Sequence, residues 1–141
     1  MDLLKATFEL YGDCVQDGNT IYVGGSPLTS AQLAKVTAKA KANHQLQLKE
    51  TARQDAKTTR DNALEANTYT LADGSVYQVR PKDLPNFQPA IQLGVDTDWV
   101  LANNSVRFTT IAELQTILSA GVAQAKIIYD TYMATLKKIG I

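Results

Sequence analysis

The sequence is poor in the residues that most often carry chemistry. Its 141 residues include one cysteine and one histidine. With Cys14 alone, the chain can form neither an intrachain disulfide nor a cysteine-rich zinc site, and with His44 alone it has no paired-histidine metal site. No apolar run approaches the roughly 20 residues that cross a bilayer, and the first residues lack the layout of a signal peptide. We therefore expect no cofactor, no metal and no membrane insertion.

The sequence also has no excess of charge of either sign. Fourteen basic and fourteen acidic residues give a formal net charge of zero, which argues against binding of nucleic acid by bulk charge. The signs are unevenly distributed, because residues 1–28 carry one lysine against four acids, whereas residues 29–66 carry seven basic residues against four acids. The basic stretch is either a solvated helical face or a docking surface for an acidic partner.

Candidate catalytic groups are sparse. Asp96 and Asp98 flank Thr97, and two carboxylates close together can hold a cation or share a proton. A solvated turn is the simpler interpretation of that pair. We therefore expect a protein without catalytic residues, and a small hydrolase or lyase is the enzymatic alternative.

The sequence does contain clear signals for secondary structure. Thr7–Tyr11 alternates apolar and polar residues, as a half-buried strand does. A turn cluster at Asp17–Asn19 follows, and Thr20–Val23 is β-branched and aromatic, as strands often are. Residues 1–28 therefore predict an N-terminal β-hairpin that serves as an attachment segment.

Residues 30–66 predict one long helix. No Gly or Pro occurs in this stretch, and good helix formers fill most of its positions. Thr29 or Ser30 can cap its first turn. At about 1.5 Å per residue the helix would be roughly 55 Å long, so we expect it to project from the rest of the protein or to lie against other chains.

A thin apolar seam follows this helix at steps of three and four residues, with a mean near the 11-residue repeat. The seam is mostly alanine, so each of its contacts buries little area. It indicates a helix that touches its own domain along one edge, a coiled-coil-like parallel bundle of identical helices, or a partly disordered linker. The predicted interaction residues of the seam are Leu33, Val36, Ala40, Leu48, Ala52, Ala56 and Ala63, and His44 lies between them as a packing residue.

Residues 67–141 predict a compact C-terminal unit. Asp73-Gly74 and Asn103-Asn104 each separate two strand-like runs and predict two short hairpins. A short helix ends at Gly94, and a capping box formed by Thr110 and Glu113 begins a long amphipathic C-terminal helix. The predicted fold class is therefore α+β, with an N-terminal β-hairpin, a long projecting helix and this compact unit, divided at 1–28, 29–66 and 67–141.

Aromatic residues concentrate in the compact unit. A hydrophobic core is the main interpretation, and a sugar-stacking surface is the functional alternative. The residues concerned are Tyr69, Tyr77, Phe87, Trp99 and Phe108.

Residues 68–139 resemble an uncharacterised domain found in tail-fibre proteins of tailed phages and in their neighbours. The shared order is an aromatic strand, an Asp-Gly turn, a second strand, a helical stretch, a tryptophan strand, and a strand with a threonine that leads into the last helix. In this sequence the corresponding residues are Tyr69–Val79, Lys82–Gly94, Trp99, Val106–Thr110 and the helix from Glu113. Asn103-Asn104 stands where Asp-Gly or Asn-Gly is more usual.

The resemblance implies a structural component of a bacteriophage tail, at the fibre or the baseplate, that joins or terminates a tail fibre through protein–protein contacts. It implies other phage tail proteins as partners, a homo-oligomer with a trimer favoured, and a place in the virion after assembly in the host cytoplasm. The alternative is a tail-fibre assembly chaperone that is not retained in the virion. No catalytic residue is implied.

Overall fold

A computed structural model describes residues 1–140 of the chain. The predicted α+β class is confirmed, because four helices alternate with short antiparallel strands. Among the described residues, no helix combines the length and the apolarity that a membrane span requires. In chain order the elements are α1 (Leu3–Tyr11), β1 (Cys14–Asp17), β2 (Thr20–Val23), β3 (Ser26–Pro27), α2 (Ser30–Glu65), β4 (Thr68–Thr70), β5 (Val76–Gln78), α3 (Leu84–Leu93), β6 (Thr97–Val100), β7 (Val106–Thr109) and α4 (Ile111–Ile139).

The predicted strand at Thr7–Tyr11 is wrong, because these residues belong to helix α1. The side chain of Asp2 accepts a hydrogen bond of 2.8 Å from the backbone N–H of Lys5 and so caps the first turn. Ala6 and Thr7 are fully buried. The short alternation of apolar and polar residues in this stretch fits helical and strand periodicity equally well, and burial against a neighbouring helix decides in favour of the helix.

The predicted N-terminal hairpin is confirmed with a different first strand. β1 pairs with β2 in antiparallel register, with Cys14 opposite Val23 and Asp17 opposite Thr20. β3 adds two residues to the other edge of β2. Gly18 in the turn has a φ of +57°, a conformation that glycine adopts without steric cost.

Helix α2 begins and ends almost where the sequence places it. Thr29 and Gln32 form a reciprocal cap in which each side chain accepts a hydrogen bond from the other's backbone N–H, at 3.2 Å and 2.9 Å. The helix has 36 residues. The chain divides into two compact units, Met1–Ala52 and a second that begins at Arg53, so the boundary lies inside α2. The division at 1–28, 29–66 and 67–141 stays a prediction.

The second unit has a small core to which both hairpins, α3 and α4 contribute residues. Two antiparallel hairpins, β4–β5 and β6–β7, cover the start of α4 together with α3. The rings of Phe87 and Trp99 pack with their centroids 4.5 Å apart. This core of buried residues comprises Tyr77, Val79, Phe87, Leu101, Leu114 and Ile117.

An ionic network anchors the start of α4 to both hairpins. The guanidinium of Arg107 donates two hydrogen bonds to the carboxylate of Glu113, at 2.9 Å and 3.0 Å, and one of 3.0 Å to Asp73. It also donates to the hydroxyl of Tyr77, which bonds to that of Thr109 at 2.7 Å. The bonds from Arg107 hold the pKa of Glu113 at about 2, well below its ordinary 4.5.

The predicted capping box is confirmed, and it belongs to this network. The backbone N–H of Thr110 donates to Glu113, and the N–H of Glu113 donates back to the Thr110 hydroxyl. One carboxylate therefore closes the helix terminus and holds Arg107. Asn104, in the turn between β6 and β7, has a φ of +64°, which asparagine tolerates better than most residues.

We predict that Gly121→Ala lowers the stability of the second unit. A Cβ at this buried position would lie 2.8 Å from the Cβ of Val79, an overlap that costs about 1–3 kcal/mol against the roughly 1 kcal/mol that alanine gains in a helix. The midpoint of thermal unfolding, followed by circular dichroism, should fall by a few degrees. Ser119→Ala, on the exposed side of α4, is the control, and an equal or raised midpoint for Gly121→Ala would contradict the close approach.

We predict that Glu113→Gln changes how stability depends on pH. A carboxylate with a depressed pKa stabilises the fold above its unfolded pKa and loses that contribution as the pH falls through the folded value. The variant should be less stable than the natural protein at pH 7, and the two should converge between about pH 5 and pH 2. Urea unfolding at a series of pH values measures the difference, and a gap that stays constant over that range would refute the role given to Glu113.

Candidate interaction surface

The first part of the predicted α2 seam is covered by the chain itself. Val36 and Ala40 are buried to within 1% and pack against Ala6 of α1, flanked by half-buried residues of the same unit. The interpretation of these two residues as contacts for another chain is therefore corrected. The sequence pattern before α2 predicts a hairpin, so it offers no helix to pack against Val36 and Ala40.

The seam residues on either side of Val36 and Ala40 remain in solvent. Leu33 and Leu48 are about half exposed, and His44 is exposed between them. Leu46, which lies off the seam, is more exposed than either leucine. For these positions the contact with another polypeptide stays a prediction.

The last two seam residues, Ala56 and Ala63, border a groove in the second unit. Both are half-buried, as is Ala52 at the end of the first unit. We name the space beside Ala56 and Ala63 the α2–α4 groove. It has a volume of about 200 Å³ and is lined chiefly by Ala56, Thr59 and Ala63 of α2 and by Ile127, Ile128 and Thr131 of α4.

The two helices run antiparallel along this groove. Val79 donates its backbone N–H to the carbonyl of Asn67, two residues after α2, and its side chain also lies against Gly121 of α4. Asn67 and Gly121 are thus neighbours at one end. The groove residues of α2 come before Asn67 in the chain, and those of α4 come after Gly121. The two helices therefore extend from this junction with opposite chain directions.

Arg60 lines the groove and contacts α4. Its guanidinium lies 4.6 Å from the ring centroid of Tyr132 and 6.0 Å from that of Tyr129, a cation–π arrangement. Asp61 holds the same guanidinium in an ion pair of 2.6 Å, and this bond raises the pKa of Arg60. The groove stays open because the α2 side chains that line it are small. The guanidinium of Arg60 supplies the contact with α4.

A row of apolar side chains lies on the other flank of α4. Val122, Tyr129 and Met133 are each about half exposed, and we name them the α4 ridge. Ile127, at 65% exposure, lies at the groove instead. Because two residues turn a helix by about 200°, Ile127 and Tyr129 project from opposite flanks, with the half-buried Ile128 between them.

The outer side of the β6–β7 hairpin is a further exposed apolar surface. Val100 lies opposite Val106, and Phe108 opposite Asp98, in the antiparallel register. Phe108 is 62% exposed. Its predicted place among the aromatic core residues is therefore wrong, whereas Tyr77 and Phe87 are buried and Trp99 packs on Phe87. The two-residue alternation of Val106–Thr109 was the available signal, since it places Phe108 on the face opposite Thr109.

The candidate carboxylate pair is divided between two roles. The Asp96 carboxylate accepts a hydrogen bond of 3.0 Å from the backbone N–H of Ile111 at the start of α4, while Asp98 lies on the exposed face of β6.

Cys14 is half-buried, and its thiol donates to the carbonyl of Leu4 at 3.7 Å. Within residues 1–140, no three His, Cys, Asp or Glu side chains lie close enough to hold a metal ion.

Comparison with known proteins adds one match. A family described as a domain of unknown function, DUF4376, matches residues 47–139. This range includes the last part of α2, both hairpins of the second unit, α3 and α4. No curated protein and no solved structure matches the chain.

Proposed function

The chain belongs to the DUF4376 family, and we propose that it is a non-enzymatic structural component of a bacteriophage tail, at the fibre or the baseplate. In this role it joins or terminates a tail fibre through protein–protein contacts. The observation that carries the contact function is the amount of apolar side chain left in solvent by so short a chain, on the α4 ridge, on the outer side of β6–β7 and along α2. Large exposed apolar patches mark interaction surfaces in soluble proteins.

The phage tail enters the proposal through the resemblance of residues 68–139 to a domain of tail-fibre proteins. The family match, over residues 47–139, includes this range and carries no function of its own. We propose other tail proteins and further copies of this chain as partners, with a trimer favoured, and the virion as its location after assembly in the host cytoplasm. Neither nucleic acid nor a membrane is a proposed partner.

The proposed contact between copies uses the part of α2 that the chain leaves accessible. Leu33 and Leu48 are exposed, and Ala52, Ala56 and Ala63 are half-buried. Alanines allow helices to approach closely, although each contributes little buried area. A coiled-coil-like assembly would therefore need several such contacts in register.

The proposed place in the virion predicts that the protein is present in finished particles. Mass spectrometry of purified virions of the phage that encodes it should detect its peptides at a stoichiometry comparable to that of known minor tail proteins. Detection in the infected-cell lysate alone, with none in purified particles, would contradict the structural role and would favour a fibre-assembly chaperone.

The proposed use of α2 predicts that Ala52→Glu combined with Ala56→Glu weakens assembly. Two carboxylates on the half-buried side would have to be desolvated in a contact with another chain, whereas residues 68–139 keep their own core. Light scattering after gel filtration should show a lower oligomer mass, with cooperative thermal unfolding retained. Gln54→Glu with Thr58→Glu adds the same charge at the same spacing on the exposed side and should leave the mass unchanged. Equal masses for the two double variants would refute the proposed contact.

A further inference from the structure

We infer that the α2–α4 groove of one copy receives the α4 ridge of a second copy of this chain. The inference rests on the proposed function, since it names the partner and the contact through which copies associate. The groove and the ridge are two apolar surfaces of the same helix pair that the chain leaves partly in solvent.

Shape is the first reason. The groove is an apolar hollow of about 200 Å³ floored by small side chains such as Ala56 and Ala63. The ridge offers the opposite form, with Tyr129 and Met133 standing half-exposed on neighbouring turns. Large apolar side chains inserted between small ones are the usual contact of packed helices.

Charge is the second reason. Asp55 precedes Thr59 by four residues and therefore lies on the same rim of the groove. Lys137 follows Met133 by four residues and lies beside the ridge. Both side chains are exposed and therefore accessible to a second copy. Of the other charges along α4, Lys126 pairs with Asp130, and Lys138 lies one turn beyond the residues that line the groove.

The two charges also lie at similar positions along the helix axes. Measured from the junction at Asn67 and Gly121, Asp55 is about 18 Å along α2 and Lys137 about 24 Å along α4 at 1.5 Å per residue. Helical side chains lean toward their own N-terminus, so the carboxylate moves away from the junction and the ammonium moves toward it. In copies arranged side by side with their helices aligned, these groups meet.

A contact between two different surfaces repeats from copy to copy and closes into a ring when the rotation allows it. A ring with its helices aligned to the axis suits the end of a fibre. It would cover both apolar flanks of α4 in every copy, whereas a contact of groove against groove would leave each ridge in water.

The experiment compares the oligomer mass of the full chain with that of five variants by sedimentation and light scattering. The natural chain should form a closed oligomer whose apparent dissociation constant rises at least about tenfold in Met133→Glu. Val95→Glu, at an accessible apolar position between α3 and β6, is the control and should leave association unchanged. Circular dichroism confirms that each variant is folded.

Exchange of the charges at positions 55 and 137 is the more specific test. Asp55→Lys alone and Lys137→Glu alone should each weaken association about two- to fivefold, and the combined variant should restore it. A natural chain that stays monomeric at high concentration, or a Met133→Glu variant as associated as the natural chain, would overturn the contact. Monomeric chains that are nevertheless present in virions would remove this inference and leave the proposed function standing.

Discussion

The structure depends on how a long helix with few large apolar side chains is covered. Helix α2 has 36 residues, and most of its apolar positions are alanines. A helix gains most of its stability in proteins from packing rather than from propensity, and burial of an alanine removes little area from water. In the first unit α1 covers Val36 and Ala40 closely. In the second unit the same small side chains leave a groove beside α4.

The start of α4 is held far more firmly than its second half. Glu113 and Arg107 tie its first turn to both hairpins, and Gly121 lets Val79 approach its middle. Beyond that point, cation–π contacts with Arg60 and the edge of the groove are the main ties to α2. A helix anchored at one end, with apolar side chains on two flanks of the other, is suited to present those flanks to another polypeptide.

Much of the fold could be predicted from the sequence because its signals are local. The Asp-Gly and Asn-Asn turns, the capping box at Thr110 and Glu113, and the absence of Gly and Pro from α2 each act over a few residues. Helix α1 could not be predicted in the same way. Its short sequence satisfies two periodicities, and its true partner, Val36, is distant in the chain.

The candidate interaction surface was less predictable for the same reason. Periodicity places the seam on one side of α2 but does not tell which of its residues the chain itself covers. Val36 is fully buried, whereas Ala56 borders the open groove. The α4 ridge could not be predicted because the apolar residues of α4 extend around more than one face. The sequence alone does not place α2 beside them. Phe108 shows that an aromatic residue in a compact unit need not lie in its core.

Intermolecular disulfide formation tests the contact between copies most directly. Two proteins, each carrying Cys14→Ser, would hold Thr59→Cys in the groove of one and Met133→Cys on the ridge of the other, so that any mixed disulfide must join different copies. The account predicts that a mixture of the two yields the mixed disulfide rapidly under mild oxidation and that each protein alone yields little. Random pairing, with mixed and like-with-like disulfides formed in statistical proportion, would contradict it.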